Sequence, residues 1–134
     1  MPPRASPRPE FLVDRSLGSA IAADIEAIGY TVHTLESMYG RQQAMLVSDT
    51  QWLTDSAGPG WLVLTKDKRI RRKPLERERI VTTRAKVFCL TSGSLKGDEQ
   101  RRIVMACLPA IVTASQVDGP FVYTMGRSGI RRLW

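Results

Sequence analysis

Histidine and cysteine are scarce in this sequence, and their scarcity excludes several kinds of active site. The 134 residues contain one histidine, His33, and two cysteines, Cys89 and Cys107. A serine or cysteine nucleophile needs a positioned base, and a zinc site needs a cluster of cysteine and histidine ligands. The sequence offers neither, and His33, inside a predicted strand, is expected to be structural. Since the two cysteines form no CxxC pair, we expect reduced thiols in a cytoplasmic protein.

Long apolar runs and glycine-rich phosphate loops are also absent. No stretch approaches the roughly 20 apolar residues that a membrane-spanning helix requires, so we expect no membrane partner. Residues 1–9 lack the apolar segment of a signal peptide. We predict a disordered tail over residues 1–9 and a single domain over residues 10–134. Neither GxGxxG nor GxxxxGK followed by Ser or Thr occurs, so no nucleotide-binding loop is predicted.

Basic residues outnumber acidic ones, 20 to 13, and the formal net charge is +7 at pH 7. This balance favours a polyanionic partner, nucleic acid first and an anionic membrane surface second. Lysine and arginine residues are densest between Lys66 and Lys73, where they would contact RNA phosphates without recognising a base sequence. The alternative is a solvated basic loop. The candidate RNA contacts in this run are Lys66, Lys68, Arg69, Arg71 and Arg72, with Arg131 and Arg132 as weaker candidates.

Apolar segments alternate with helical patterns along the chain, which predicts a parallel α/β sheet with right-handed crossovers. A helical stripe runs from Leu17 to Ile28, and Ser48–Gln51 forms a capping box that starts another helix. Residues 37–46 are predicted to be a loop. The predicted strands of this sheet are Phe11–Val13, Thr31–Leu35, Trp61–Leu64 and Val87–Leu90.

The C-terminal half is less regular. Pro74 fits the first position of a short helix. Asp98 is expected to cap a helix that Pro109 kinks or divides. Two short strands, Phe121–Met125 and Ile130–Trp134, are predicted around a glycine turn.

Four acids stand out in a basic chain: Asp14, Glu36 and Asp67 follow predicted strands, and Asp49 opens the capped helix. Ligands bind at the carboxyl edge of a parallel sheet, and crowded carboxylates are tolerated mainly around a divalent cation. The pattern therefore predicts a magnesium-type site that supports phosphodiester hydrolysis by a metal-activated water. As alternatives, Asp49 could serve only the helix dipole, an interaction worth about 0.3–1 kcal/mol, and Glu36 could serve only as a cap.

Thr65 precedes the last of these acids. Its hydroxyl could donate a hydrogen bond to a bound phosphate or to a metal-bound water, and it is predicted as an RNA-binding residue. The alternative is that Thr65 merely starts a turn.

These residues together resemble the PIN-domain ribonucleases, in particular the compact branch with VapC-type toxins. The similarity runs from about Glu10 to Trp134, and the segment around Asp67 is its most specific part. One departure is that many related sequences place another acid shortly after the position of Asp67, where this chain has Lys68 and Arg69. The matching segments are residues 11–18, 34–36, 48–53, 64–72, 119–123 and 131–134.

The resemblance implies a three-layer α/β/α sandwich and a ribonuclease that depends on Mg²⁺ or Mn²⁺. Carried over by motif, the catalytic acids are Asp14, Glu36, Asp49 and Asp67, and the metal ligands are Asp14, Asp49 and Asp67. A toxin of this kind has RNA as its substrate and is neutralised by a cognate antitoxin that covers the site; related proteins often form homodimers.

Two other functions fit parts of the sequence. The cationic pair Lys68 and Arg69 fits a non-catalytic RNA-binding or regulatory module of the same fold. A phosphoacceptor receiver domain is also a parallel α/β fold with acids at strand ends, but it needs an acidic pair after its first strand. Asp14 stands between Val13 and Arg15, so that pair is missing.

Overall fold

The computed structural model describes residues 8–67, 69–91 and 96–134. Most of the predicted tail over residues 1–9 therefore lies outside the described residues. Arg8 is described, and its guanidinium lies 4.0 Å from the centroid of the Tyr30 ring. In chain order the elements are β1 (Phe11–Val13), α1 (Ser19–Ala27), β2 (Val32–Thr34), α2 (Leu35–Tyr39), α3 (Arg41–Leu46), α4 (Asp49–Ala57), β3 (Leu62–Thr65), α5 (Arg69–Arg72), α6 (Pro74–Thr83), β4 (Lys86–Leu90), α7 (Gly97–Ala114), β5 (Phe121–Gly126) and β6 (Gly129–Arg132).

The described strands form a six-stranded sheet in the order β2-β1-β3-β4-β5-β6. The first five strands pair in parallel, and β6 is antiparallel to β5. Phe11 is in register with Val32 on one side and Leu62 on the other. The carboxyl ends of β1, β2 and β3 therefore share one edge of the sheet, as the strand-end acids require.

Helices cover both faces of the sheet, because successive strand residues point to opposite faces. Phe11 and Val13 pack with α1 and α7 in one core cluster, whereas Leu12 packs with α2, α4 and α6 in another. The short, wholly apolar strands fit this double burial. The predicted three-layer α/β/α architecture is confirmed.

The predicted loop over residues 37–46 is wrong, because most of it is helical. Thr34 ends β2 and caps α2: its hydroxyl accepts the Ser37 N–H at 3.1 Å, and the Ser37 hydroxyl accepts the Thr34 N–H at 2.9 Å. Gly40, with φ of +85°, then turns the chain into α3. Leu35 thus starts a helix instead of ending a strand.

The other differences are local. Ile28 lies beyond the end of α1 and is half exposed. The long helix α7 begins after Lys96 and has no side-chain cap, so the cap predicted at Asp98 is wrong: Asp98 lies in the first turn. The helix continues through Pro109, so of the two predicted effects of this proline, kink or division, the division is wrong. The start of α4 is confirmed, since Ser48 accepts the Gln51 N–H at 3.2 Å. Pro74 does open α6.

Trp52, Trp61 and His33 pack within the fold. Trp52 is fully buried. His33 stacks on Trp61 with 3.6 Å between ring centroids, and its Nε2 lies 2.9 Å from Glu10 Oε1. The structural role predicted for His33 fits these contacts. No helix in the described part of the chain is long and apolar enough to cross a membrane.

Candidate active site

Asp14 lies at the centre of the carboxyl edge, directly after β1, and its side chain is 4% exposed. Its backbone N–H donates to the carbonyl oxygen of Leu64 at 2.9 Å, which fixes it beside the end of β3. Its carboxylate oxygen Oδ2 accepts hydrogen bonds from Ser16 Oγ at 2.8 Å and Thr65 Oγ1 at 2.9 Å. From the residues that the structure describes, Oδ1 accepts none. Within the described part of the chain, hydrogen bonds therefore hold Oδ2 and leave Oδ1 without a donor.

The two hydroxyls also hold the segment that follows β3. Ser16 Oγ accepts the Lys66 N–H, and Thr65 Oγ1 accepts the Asp67 N–H, each at 3.0 Å. Because each hydroxyl accepts a backbone N–H, its own proton is directed at Asp14. We call Ser16 and Thr65 the hydroxyl clamp. The clamp links Asp14 to the backbone that carries Asp67.

Asp49 lies in the first turn of α4 and is half-buried. Burial raises the pKa of its carboxyl group, while a hydrogen bond from Trp52 Nε1 to Oδ1, at 3.0 Å, opposes the shift. The negative charges of Asp14, Asp67 and Glu76 raise this pKa further. All three charges act on Asp49, so two other predicted site residues, Asp14 and Asp67, lie within electrostatic range of it.

Glu36, the fourth predicted acid, lines the same cavity as Asp14. It lies in the first turn of α2, is exposed, and its Oε1 is 3.9 Å from Nε of Arg41. Glu36 and Asp14 both line a cavity of about 480 Å³. Glu36 therefore belongs to the same edge of the sheet, although its position is less constrained than that of Asp14.

A hard divalent cation fits these donors as an open site. Among the described residues, no three Asp, Glu, His or Cys side chains are close enough to hold an ion by themselves. Mg²⁺ does not require such a cage, because it usually keeps several waters and binds through one or two carboxylates together with substrate phosphates. Oδ1 of Asp14, to which no described residue donates, and the nearby carboxylate of Asp49 match this mode of binding.

The structure places the predicted RNA contacts unevenly. Thr65 is fully buried, and its hydroxyl is committed to the clamp, so a direct contact with RNA is incompatible with this structure. Lys66 is half-buried beside the site, and Arg72 is exposed at the end of α5. Lys68 lies outside the described residues. Two further candidates, Arg69 and Arg71, have a described backbone in α5 but no described side chain.

Two residues of the site were missed by the sequence argument. Ser16 stands two positions after Asp14, and its small hydroxyl was a usable signal, since the matching strand end at Thr65 also carries a hydroxyl. Glu76 had no local signal. It lies in the first turn of α6, beyond the basic run, and only the packing of α6 beside α4 brings it near Asp49.

Comparison with known proteins agrees with this geometry. Residues 9–92 match the family described as "PIN like domain". A protein of Mycobacterium tuberculosis (strain ATCC 25618 / H37Rv), named "Putative ribonuclease VapC45", is 35% identical over 124 residues, which cover 92% of this chain and 90% of that protein. No solved structure matches the chain. The chain therefore belongs to the PIN-like domain family, as its motifs predicted.

Proposed function

We propose that this protein is an endoribonuclease that hydrolyses RNA phosphodiester bonds with the help of Mg²⁺ or Mn²⁺. We further propose that it acts in the cytoplasm as the toxin of a type II toxin–antitoxin module, with a cognate antitoxin as its partner. The observation that carries the catalytic proposal is Asp14, a buried carboxylate with one oxygen clamped and the other available. The name of the M. tuberculosis relative supports the same reaction.

Each acid has a distinct task in this proposal. Asp14 would bind the cation through Oδ1, with Asp49 and Asp67 as the neighbouring ligands and Glu36 facing the substrate across the cavity. A bound dication supplies an activated water and stabilises charge on the phosphate. The indole of Trp52 orients Asp49, and the hydroxyl clamp keeps Asp14 in one rotamer. These contacts organise the carboxylates before RNA arrives.

The surrounding cations would attract the substrate. Lys66 precedes Asp67 directly, and Arg72 is exposed at the end of α5, which follows Asp67. Phosphate contacts by such cations give affinity that falls steeply with salt. They do not select a sequence. We therefore expect RNA binding to weaken as ionic strength rises, whatever RNA is used.

The test compares Asp14→Asn with Asp118→Asn, which removes the same charge from an exposed loop after α7, at the other edge of the sheet. The asparagine side chain of the first variant can still accept both clamp hydrogen bonds through its oxygen, but presents an NH₂ group where the cation would bind. We expect RNA cleavage in Mg²⁺ or Mn²⁺ to fall by more than about a hundredfold, because several kcal/mol of charge stabilisation are lost. Asp118→Asn should cleave like the unmodified protein.

Circular dichroism and melting temperature check that both variants are folded. Undiminished cleavage by a folded Asp14→Asn protein would contradict the proposal, as would cleavage that persists in EDTA.

A non-catalytic RNA-binding module is the second candidate. Two observations favour it: among the described residues no three acids are close enough to hold an ion by themselves, and Arg72 and Lys73 are exposed cations. It predicts RNA binding that EDTA does not change and no cleavage in Mg²⁺ or Mn²⁺. Metal-dependent turnover that Asp14→Asn abolishes would eliminate it.

A further inference from the structure

A largely apolar cavity of about 480 Å³ opens beside Asp14. It lies between the start of α1 on one side and helices α2 and α3 on the other. Its volume falls within the range of small-molecule sites, about 300–1,000 Å³. The apolar part of its wall consists of Val13, Leu17, Ala22, Leu35, Ala44 and Met45.

We propose that this cavity binds one nucleobase of the RNA, that of a nucleotide adjoining the bond to be cleaved. The inference rests on the proposed function, which puts an RNA phosphate at Asp14. The groups that follow a phosphate along RNA are a ribose and a base, so a chain held at Asp14 brings a base to the neighbouring cavity. Single-stranded RNA is commonly recognised through unstacked bases that pack against protein side chains.

The wall and the rim match the two parts of a base. Met45 is 75% exposed, and its polarisable thioether suits the face of an aromatic ring. Glu36 and Arg41 stand at the rim, where a carboxylate can accept from, and a guanidinium can donate to, the edge of a base. The cavity therefore combines an apolar wall for the ring with polar groups for its edge.

The α3 wall is held in place before any ligand binds. Arg15 Nη1 donates to the carbonyl oxygen of Met45 at 3.3 Å, and Nη2 donates to that of Val47 at 3.2 Å. Since Arg15 follows Asp14 directly, these bonds tie the end of α3 to the strand end that carries the carboxylate. The base site and the cation site are thus positioned by adjacent residues.

The opposite wall favours a phosphate-bearing ligand over an apolar peptide. Gly18 and Ser19, at the start of the nine-residue helix α1, line the cavity, and no side chain caps this helix. Its first N–H groups lack intrahelical acceptors and carry partial positive charge. Together with a net charge of +7, this wall suits the phosphate of the nucleotide whose base enters the cavity.

The first test uses NMR with ¹³C-methyl methionine and no divalent ion. The probes are the four ribonucleoside 5′-monophosphates, and ribose 5-phosphate is the control with the same phosphate and no base. We expect the nucleotides to shift the Met45 methyl resonance upfield through the ring current of the base, and ribose 5-phosphate to leave it in place. Met105 and Met125 belong to the α7 core cluster and do not line the cavity, so they are internal references.

The second test uses two variants matched in charge and exposure. Met45 lines the cavity and Leu46, its neighbour on α3, does not; their exposures are 75% and 77%. In EDTA, Met45→Glu should weaken binding of a fluorescent single-stranded RNA by about tenfold, the scale of one stacked base. Leu46→Glu should bind RNA nearly as well as the unmodified protein.

Equal losses in the two variants, or a Met45 shift that ribose 5-phosphate also produces, would overturn the base site. Full RNA affinity in Met45→Glu would also overturn it and would leave the cavity as a surface for a protein partner. Neither measurement requires cleavage. If Asp14-dependent cleavage is present and the Met45 shift is absent, the base site fails while the ribonuclease stands.

Discussion

Thr65 Oγ1 donates a hydrogen bond of 2.9 Å to Oδ2 of Asp14, although 51 positions separate the two residues in the chain. The same hydroxyl oxygen accepts the N–H of Asp67 at 3.0 Å. A threonine at the end of β3 therefore joins two acids that the sequence presents as independent strand-end residues. The position of one carboxylate depends on the backbone of the other through a single hydroxyl.

The first prediction concerns this hydroxyl. Thr65→Val keeps the shape of the side chain but leaves the Asp67 N–H without its acceptor and Asp14 with one hydrogen bond fewer. We expect the free energy of unfolding to fall by about 1–3 kcal/mol, because the buried Asp14 carboxylate loses a hydrogen bond. Affinity for Mn²⁺, measured by electron paramagnetic resonance, should fall as well.

Thr65→Ser is the matched control, because it retains the hydroxyl and loses only a methyl group. It should recover most of the Mn²⁺ affinity. If Thr65→Val keeps the Mn²⁺ affinity of the unmodified protein while Thr65→Ser loses it, packing of the methyl group matters and the hydrogen bond does not.

The second prediction distinguishes the roles of the two residues of the hydroxyl clamp, Ser16 and Thr65. Ser16 holds the Lys66 N–H and Thr65 holds the Asp67 N–H, so amide hydrogen exchange should accelerate at Lys66 in Ser16→Ala and at Asp67 in Thr65→Val. Both hydroxyls donate to the same oxygen of Asp14. The effects of the two substitutions on the free energy of unfolding should therefore be non-additive, with a coupling free energy of about 0.5–3 kcal/mol. If exchange accelerates equally at both amides in each variant, the two hydroxyls do not protect separate amides.

The fold was predictable where the sequence contains a continuous apolar segment or a local capping signal. Wholly apolar segments mark β1 and β3 because both faces of those strands are covered by helices. The start of α4 was predictable from the hydroxyl of Ser48, a local signal. Helices α2 and α3 were missed because they are short, and their apolar residues reflect contacts with distant elements instead of a long periodic stripe.

The positions of two of the candidate acids were predictable for the same reason, whereas the residues that surround them were not. Asp14 and Asp67 follow strands that the sequence reveals, and the parallel sheet brings such positions to one edge. The alignment of α6 beside α4 places Glu76 near Asp49, and that alignment depends on how the whole second core cluster packs. Burial of the Thr65 side chain likewise appears only in three dimensions.

The third prediction uses the charge of Asp49 in metal-free protein. The folded-state pKa of this carboxyl is raised, chiefly by burial, above its ordinary value of 3.8. The folded protein thus holds the proton more readily than the unfolded chain, so stability falls as the pH rises from the unfolded-state pKa to the folded-state pKa, and the full loss is present above the folded-state pKa. Asp49→Asn should therefore melt at a higher temperature than the unmodified protein at pH 7, and this advantage should disappear below about pH 3.8, where both states of the unmodified protein are protonated.

Added Mg²⁺ should reverse this order at pH 7, because a ligand that binds only the folded state stabilises it. The unmodified protein should gain more than Asp49→Asn, whose amide still accepts the indole N–H of Trp52 but carries no charge. Asp118→Asn, an exposed change, controls for net charge. Equal melting temperatures of the unmodified protein and Asp49→Asn at every pH would contradict the prediction.

The fourth prediction tests whether Glu76 belongs to the acidic group. Its charge raises the pKa of Asp49, so Glu76→Gln should lower that pKa, which NMR titration of the Asp49 carboxyl carbon measures. Glu76→Gln should also weaken Mn²⁺ binding by about fivefold, since ~1 kcal/mol of attraction is expected for a nearby charge in a hydrated site. Glu78→Gln is the matched control, because Glu78 is exposed on the same helix and is not among the charges that shift the pKa of Asp49. If both variants change Mn²⁺ binding equally, the effect comes from net charge, and Glu76 has no particular place at the site.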